Sequence, residues 1–411
     1  MKLIKNIGNV VSHSFIYYLS FVIPKDRKIW VFGAWAGKLY SDNSKHLFDY
    51  VRKNHEDKKA VWITKSKSLA IEMQKKGLPS YYYNSFRGVM FSVRAAAFFT
   101  VSGMEDVAGE WAHQGGLHVE LWHGSPMKKI GYDNTGWEKL WKKSEESRSI
   151  GQKLKRYLPY YTKQYHCEKI YTVSSNEVKG KFMTAFAAEE GQIFVTGQPR
   201  NDVFVRQPNN PYMQKLKDDH QGVKVICYLP THRNFGQKKN NPLTHEVLVE
   251  TDEFCRNHNI ILIIKPHFHE RKHYLDMPSQ FANIVIGVNE DVFSDPYGFL
   301  PFCDALISDY SSVFLDFLCS GKPVILFPYD LENYIYDDAG LYYNYEDIAP
   351  GKICYSWQEV LETTVKELGS TGFSGQYRRV FELFNKYNDG RNCERIYNLV
   401  TNILEGNMEN G

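Results

Sequence analysis

Apolar residues along this chain fall into two recurring patterns, short unbroken runs and runs at three- and four-residue spacing. The unbroken runs predict buried strands at Lys28–Phe32 (KIWVF), Ala60–Thr64 (AVWIT), Ala95–Val101 (AAAFFTV), Leu117–Trp122 (LHVELW), Lys169–Val173 and Ile193–Thr196. The spaced pattern predicts helices from Asn43 to Lys53, over Leu69–Lys76, and between the last two of those strands. The alternation restarts at Val223–Leu229. A helix from His245 to His258 leads into Ile260–Ile264, followed by Ile284–Val288, Ala305–Ser308, a helix through Ser320 and the strand Pro323–Phe327. Strands that alternate with helices imply a parallel sheet covered on both faces. Between the two series, Gln207-Pro208-Asn209-Asn210-Pro211 reads as a linker. The expected fold class is α/β, with two doubly wound, Rossmann-like domains at 25–206 and 207–411 facing a cleft. Ligands in such sheets bind at the carboxyl ends of the strands.

Ahead of the first strand, Ile4, Ile7, Val11, Phe15, Tyr18 and Val22 recur at helical spacing, with Lys2, Lys5, Asn6 and Asn9 on the other face. Residues 1–24 therefore read as an amphipathic helix that either packs on the first domain or lies in a membrane interface. Its most apolar part, Ser14–Ile23, is about ten residues long and too short to span a bilayer. No small-residue cleavage site follows it; Pro24, Lys25, Asp26, Arg27 and Lys28 close it.

At 411 residues the chain exceeds what one core usually holds. Its 28 Tyr and 25 Phe fill cores, and they also suit carbohydrate and membrane-interface surfaces. The seven cysteines, Cys167, Cys227, Cys255, Cys303, Cys319, Cys354 and Cys393, include no CxxC pair. That excludes a disulfide framework and a zinc ribbon, and leaves buried thiols in a reducing compartment. Between Lys128 and Lys169 eleven Lys/Arg stand against five Asp/Glu, with Trp137 and Trp141 among them. This stretch is either a solvated helical face or a surface for a polyanionic acceptor or anionic lipid head groups. No nucleic-acid-binding module accompanies it, so nucleic acid is not an expected partner. His267, His269 and His273 lie close together but on a strand end and a polar helix, so neither a metal nor a cofactor is expected.

Candidate chemistry gathers where strands end. Leu121-Trp122-His123-Gly124-Ser125-Pro126 places a histidine able to take a proton from an attacking hydroxyl beside a glycine that allows close approach. Lys265-Pro266-His267 offers a lysine and a histidine to phosphate charge. Ile307-Ser308-Asp309-Tyr310-Ser311-Ser312 runs into a helix containing Asp316. Free N–H groups and serine hydroxyls at such a start favour phosphate, while Asp309 orients a donor or accepts from a ribose or base group. Arg200, in Gly197-Gln198-Pro199-Arg200-Asn201-Asp202, and Arg233, in Leu229-Pro230-Thr231-His232-Arg233, suit bidentate phosphate contacts. Each cluster alone is equally open to a bland reading: a structural histidine, a solvated turn, an ordinary cap or a surface arginine.

Taken together and in this order, these stretches resemble the CDP-glycerol glycerophosphotransferase family, the primases and polymerases of wall teichoic acid and related capsule enzymes. The resemblance is carried by LWHGSPMKKIGYD at 121–133, TGQPRND at 196–202, LPTHR at 229–233, KPH at 265–267, SDYSSVFLDFLCSGKPVILFPYD at 308–330 and GLYYNYEDIAPG at 340–351. IWVFGAWAGKLYSDNSKHLFDYV at 29–51 is similar to the family's opening, so the match covers nearly the whole chain. It implies a GT-B-like fold, an acceptor domain followed by a CDP-donor domain, and a CDP-glycerol or CDP-ribitol donor. His123 is then the expected base, His267 lies near the transferred phosphate, and Ser311 and Ser312 hold the donor pyrophosphate. Gly124, Ser125, Arg200, Thr231, Arg233, Lys265, Asp309 and Asp316 complete the expected substrate-binding set. The family usually carries an arginine before the glycine of its GLY-type motif, where this chain has Ala339. In size the chain is closer to primases and capsule-type transferases than to the larger polymerases.

The expected activity is transfer of an alditol-phosphate unit to a lipid-linked polymer acceptor at the cytoplasmic face of the membrane, by a peripheral protein on an anionic surface. Two other readings stand beside it: a GT-B glycosyltransferase using a nucleotide sugar, and a non-catalytic scaffold in capsule assembly.

Overall fold

The computed structural model describes residues 13–108, 115–134, 168–231, 242–266, 274, 281–331, 340–370, 372 and 374–407. His267, Arg233, His232, Ala339, Trp137, Trp141 and the start of the N-terminal helix lie outside the described residues, as does most of the basic stretch at 128–169.

Seven parallel strands form the first sheet: β1 (Asp26–Phe32), β2 (Lys59–Thr64), β3 (Ser80–Tyr82), β4 (Ala95–Thr100), β5 (Leu117–Glu120), β6 (Lys169–Val173) and β7 (Ile193–Val195), in the order β3-β2-β1-β4-β5-β6-β7. The second sheet is built from β8 (Lys224–Leu229), β9 (Ile260–Ile264), β10 (Ile284–Ile286), β11 (Ala305–Ser308) and β12 (Val324–Leu326), in the order β10-β9-β8-β11-β12, also parallel. The apolar runs are unbroken because strands such as β4 and β9 are buried on both faces. The strand order reverses between β1 and β4 and between β8 and β11, and crevices open at such switch points.

The pattern missed β3 and the helices Phe86–Arg94, Trp357–Leu368, Gly375–Phe384 and Asn392–Glu405. The last of these departs from the expected 207–411 grouping. Its Cys393, Ile396 and Val400 are buried with Trp30, Leu47 and Val51 against the first sheet, and Tyr397 lies 5.3 Å from the Trp30 ring. Apolar burial decides this: helical spacing gives the helix one sticky face, and the uncovered flank lies on the first half.

The halves also share apolar packing. One buried cluster runs from Tyr171, Val178 and Phe182 into Phe314, Leu315 and Phe384. Two motif stretches far apart in sequence meet there, with Lys128 bridging Leu341 antiparallel and Tyr342 N–H donating to the Met127 carbonyl at 2.8 Å. Asp133 accepts from Tyr342 Oη at 2.5 Å and from Thr184 Oγ1 at 2.6 Å.

The described part of the N-terminal helix, 13–22, divides its faces. Tyr17 and Ser20 are buried, Tyr17 against Val93 and Ala108, while Phe15 is 68% and Val22 75% exposed, with Tyr18 on the same outward stripe. Among the described residues, no helix is long and apolar enough to cross a membrane.

Candidate active site

A cavity of about 300 Å³ opens between the two sheets, lined by Trp35, Ser41, Asp42, His123, Arg200, Lys265, Asp295, Tyr297, Ser311 and Ser312 among others. Its walls are the segments that follow β1, β5, β7, β9, β10 and β11, on the carboxyl-end side of both sheets.

His123 is set by the chain leaving β5. Leu121 N–H still bonds to Thr100 O at 2.8 Å, and the backbone then turns sharply through Trp122 at φ 54°. His123 Nδ1 donates to the Val101 carbonyl at 2.8 Å. A carbonyl only accepts, so the neutral ring carries its proton on Nδ1 and its lone pair on Nε2. The Trp122 ring stacks on the imidazole at 4.3 Å, and Trp35 faces it at 5.1 Å. Burial lowers the His123 pKa below its ordinary 6.5, outweighing the Val101 bond and Asp42, which raise it. The ring is therefore mostly neutral near pH 7, as a general base must be.

Gly124 marks a close approach of the two halves. Its φ is 142°, and a Cβ there would lie 2.5 Å from Ser312 Oγ and 2.9 Å from Arg200 Nη2. Ser125, expected to touch substrate, instead turns away from the cavity and bonds to Ser174 Oγ at 2.9 Å in the interior.

Arg200 lines the cavity, but its charge is already matched. Nη1 donates to Asp42 at 2.8 Å, Nη2 donates to Asp316 at 2.6 Å, and the guanidinium lies over the Tyr297 ring at 4.7 Å. Tyr297 Oη adds a 2.5 Å bond to Asp316. The expected phosphate clamp is thus a buried tie between the halves, and Asp316 is part of that tie rather than of the cavity lining. Lys45 and Asp295 make a second tie at 2.6 Å; burial opposes the charge of Asp295, yet Lys45 and His46 hold its pKa well below the usual carboxylate range.

Asp309 is fully buried and accepts from Thr231 N–H at 3.0 Å, Thr231 Oγ1 at 2.5 Å and Tyr310 N–H at 2.7 Å. It joins the exits of β8 and β11. Ser311 and Ser312 do face the cavity. The helix they precede, Val313–Phe317, has only five residues before it tightens into a 3₁₀ turn, so dipole support is small and the donors are the local N–H and O–H groups.

The sequence reading missed Trp35, Asp42, Asn43, Asp106 and Tyr297. Asn43 is buried and donates to the Trp122 carbonyl at 2.8 Å, and Asp106 accepts from the turn beside His123. The stretch at 29–51 was legible as a motif but not as chemistry. Glu120, beneath the His123 turn, accepts from Thr100 Oγ1 at 3.1 Å, and burial pushes its pKa up to about 7. Among the described residues, no three His, Cys, Asp or Glu side chains are placed to hold a metal ion.

The sequence profile of the family described as CDP-Glycerol:Poly(glycerophosphate) glycerophosphotransferase matches residues 15–402. The chain is 28% identical over 410 residues to a teichoic acid glycerol-phosphate transferase of Staphylococcus aureus, covering 96% of this chain and 98% of the relative. It is 24% identical over 393 residues to the teichoic acid poly(glycerol phosphate) polymerase of Bacillus subtilis strain 168, where it covers 94% of this chain but spans only half of that relative's length. In overall structure it is similar to the wall teichoic acid polymerase TagF, with a TM-score of 0.73 at 21% identity, covering 99% of this chain and 98% of that one. A UDP-N-acetylglucosamine 2-epimerase follows at a TM-score of 0.52 and 12% identity, covering 95% and 99%. These likenesses establish a GT-B-like fold.

Proposed function

Because the chain belongs to the CDP-glycerol:poly(glycerophosphate) glycerophosphotransferase family, we propose that it transfers a glycerol-phosphate or related alditol-phosphate unit from a CDP-activated donor to a hydroxyl of a membrane-linked teichoic acid or capsular polysaccharide acceptor, releasing CMP. The observation that carries this reading is His123: a mostly neutral imidazole, fixed in one tautomer by Val101, on the wall of the cavity between the sheets.

In this reading the acceptor hydroxyl gives its proton to Nε2 of His123 as its oxygen attacks the β-phosphorus of the donor. The bond from that phosphorus to CMP breaks, and CMP leaves. Lys265 and the hydroxyl and N–H groups at Ser311 and Ser312 stand where they can hold pyrophosphate charge. His267 is proposed beside the transferred phosphate and Arg233 with the donor, both on the strength of motif position. Thr231 and Asp309 shape the donor side indirectly, through the loop they hold. Arg200 and Asp316 keep the two halves in register around the cavity. Relatives of 28% and 27% identity are a glycerol-phosphate transferase and a ribitol-phosphate polymerase, and both alditols are therefore candidate donors.

The donor is a cytosolic nucleotide and the acceptor is carried on lipid, so the protein works at the cytoplasmic face of the membrane as a peripheral protein. The outward stripe of Phe15, Tyr18 and Val22 supports an interfacial role for the N-terminal helix.

The test is a donor panel. The full chain, with a soluble acceptor analogue, is given CDP-glycerol, CDP-ribitol and nucleotide sugars, and CMP release and product mass are followed. Turnover of nucleotide sugars alone rejects the proposal.

A further inference from the structure

We propose that Asp106 is a positioning residue for His123, holding the imidazole in one tautomer and against one aromatic wall through two backbone turns. The inference rests on the reading of His123 as the base. Asp106 is fully buried and does not line the cavity, so it reaches the imidazole through the backbone it holds and through its charge, which works to raise the His123 pKa.

The first turn follows β4. Asp106 Oδ2 accepts from Val101 N–H at 2.8 Å and from Ser102 N–H at 2.7 Å. Ser102 N–H and the Val101 carbonyl belong to the same planar trans peptide and point in opposite directions. Anchoring that N–H on Asp106 therefore aims the Val101 carbonyl the other way, where it accepts from His123 Nδ1 at 2.8 Å. One rigid unit transmits the carboxylate's position to the ring, and a ring donating from Nδ1 keeps its lone pair on Nε2.

The second turn follows β1. Asp106 Oδ1 accepts from Ala36 N–H at 2.6 Å and from Ser102 Oγ at 2.6 Å. Trp35 and Ala36 have φ values of 51° and 54°, a left-handed pair that non-glycine residues adopt only when their surroundings hold it. The bond to Ala36 pins that pair, and the pair sets the Trp35 ring 5.1 Å from His123. The Asp106 turn has little room to yield, because a Cβ on Gly33 would lie 2.2 Å from the Asp106 carbonyl oxygen. Four donors converge on one carboxylate, and the two turns it fixes both end on the same imidazole.

The test uses the full chain with Asp106→Asn, which keeps the shape but turns an acceptor oxygen into an NH₂ group facing N–H donors. Nitrogen-15 NMR of the histidines should read the Nδ1–H tautomer at His123 in the unsubstituted chain and a mixture in the variant. Turnover with CDP-glycerol should fall roughly 10- to 1000-fold while KM for CDP-glycerol moves by less than about threefold, the split expected when a base is misoriented. In a His123→Ala background the same change should slow the reaction no further. Ser102→Ala, which removes one donor, should lower kcat by about threefold or more in the same direction and serves if the first variant does not fold. An unchanged tautomer and kcat in a folded variant, or an equal loss in the His123→Ala background, overturns the proposal. Near-normal turnover of His123→Ala alone would instead sink the base assignment, and the tautomer readout would still report on Asp106.

Discussion

Gly124 and Ser312, from opposite halves of the chain, approach until a Cβ on the glycine would sit 2.5 Å from the serine Oγ. The contact lies beside the candidate base and beside the serines expected to hold the donor, so the space left by one missing side chain sets how closely the two sheets meet at the cavity. Gly124→Ala should destabilise the protein by about 1–3 kcal/mol, from its φ of 142° and from the overlap. It should also lower turnover by at least about tenfold, since small displacements of reacting groups are costly. Adding Ser312→Ala removes the nearer atom and should recover part of the stability loss in a double-mutant cycle followed by urea unfolding. Strict additivity would show that the overlap with Ser312 contributes nothing to the loss.

His123→Ala should reduce turnover by about 10²- to 10⁴-fold with little change in donor affinity. Because the base must be unprotonated and burial lowers its pKa below 6.5, kcat/KM should fall on the acid side with a midpoint under that value. A pH profile with its acid limb at or above 6.5 would assign the limb to another group.

Ser311→Ala combined with Ser312→Ala should weaken binding of both CDP-glycerol and CDP, which share the pyrophosphate. The loss expected for two hydroxyl bonds to a charged group is about 3–6 kcal/mol. Calorimetry giving the parent affinity for CDP would reduce these serines to capping residues.

Glu120 should make stability depend on pH in an unusual direction. Its folded pKa of about 7 lies above the ordinary carboxyl value of 4.5, so the folded state keeps a proton that the unfolded chain releases between those values. The sign follows: this group costs nothing below about pH 4.5, and its cost grows as pH rises to 7 and persists above it. A shift of that size corresponds to about 3 kcal/mol. Glu120→Gln should flatten the dependence, measured as urea midpoints from pH 5 to 8. Parallel curves for variant and parent would refute it.

Replacing Phe15, Tyr18 and Val22 with serine should shift the protein from membrane to soluble fractions and leave activity on a soluble acceptor analogue largely intact. These side chains point outward, and burying such a stripe in an interface is what would hold the helix there. Equal vesicle sedimentation of the two proteins would return the stripe to ordinary surface.

The strands were legible because burial on both faces writes them as unbroken apolar runs; Lys169–Val173, Ile260–Ile264 and Ala305–Ser308 were placed to the residue. β3 was not, since Ser80–Tyr82 is a three-residue edge strand with little buried surface to mark it. The candidate base was legible as a histidine between a strand end and a glycine. Its orientation was not, because the Val101 carbonyl that fixes it lies 22 residues away.

What the sequence determined by itself was the set of local preferences: which runs are strands, which turns carry His123, Lys265 and the serines, and the family those motifs belong to. Which of these residues face the cavity was decided only by the tertiary structure. Arg200 reads as a phosphate clamp, yet in the fold it lies between Asp42 and Asp316. Ser125 is next to Gly124 in sequence but bonds to Ser174 in the interior. Asp106, in no motif at all, takes four hydrogen bonds beneath the candidate base. The physical reason is that a buried charge or hydroxyl must find its partners wherever the packed chain brings them. Those partners, 116 residues apart for Arg200 and Asp316, are set by how the two sheets dock and not by spacing along the chain.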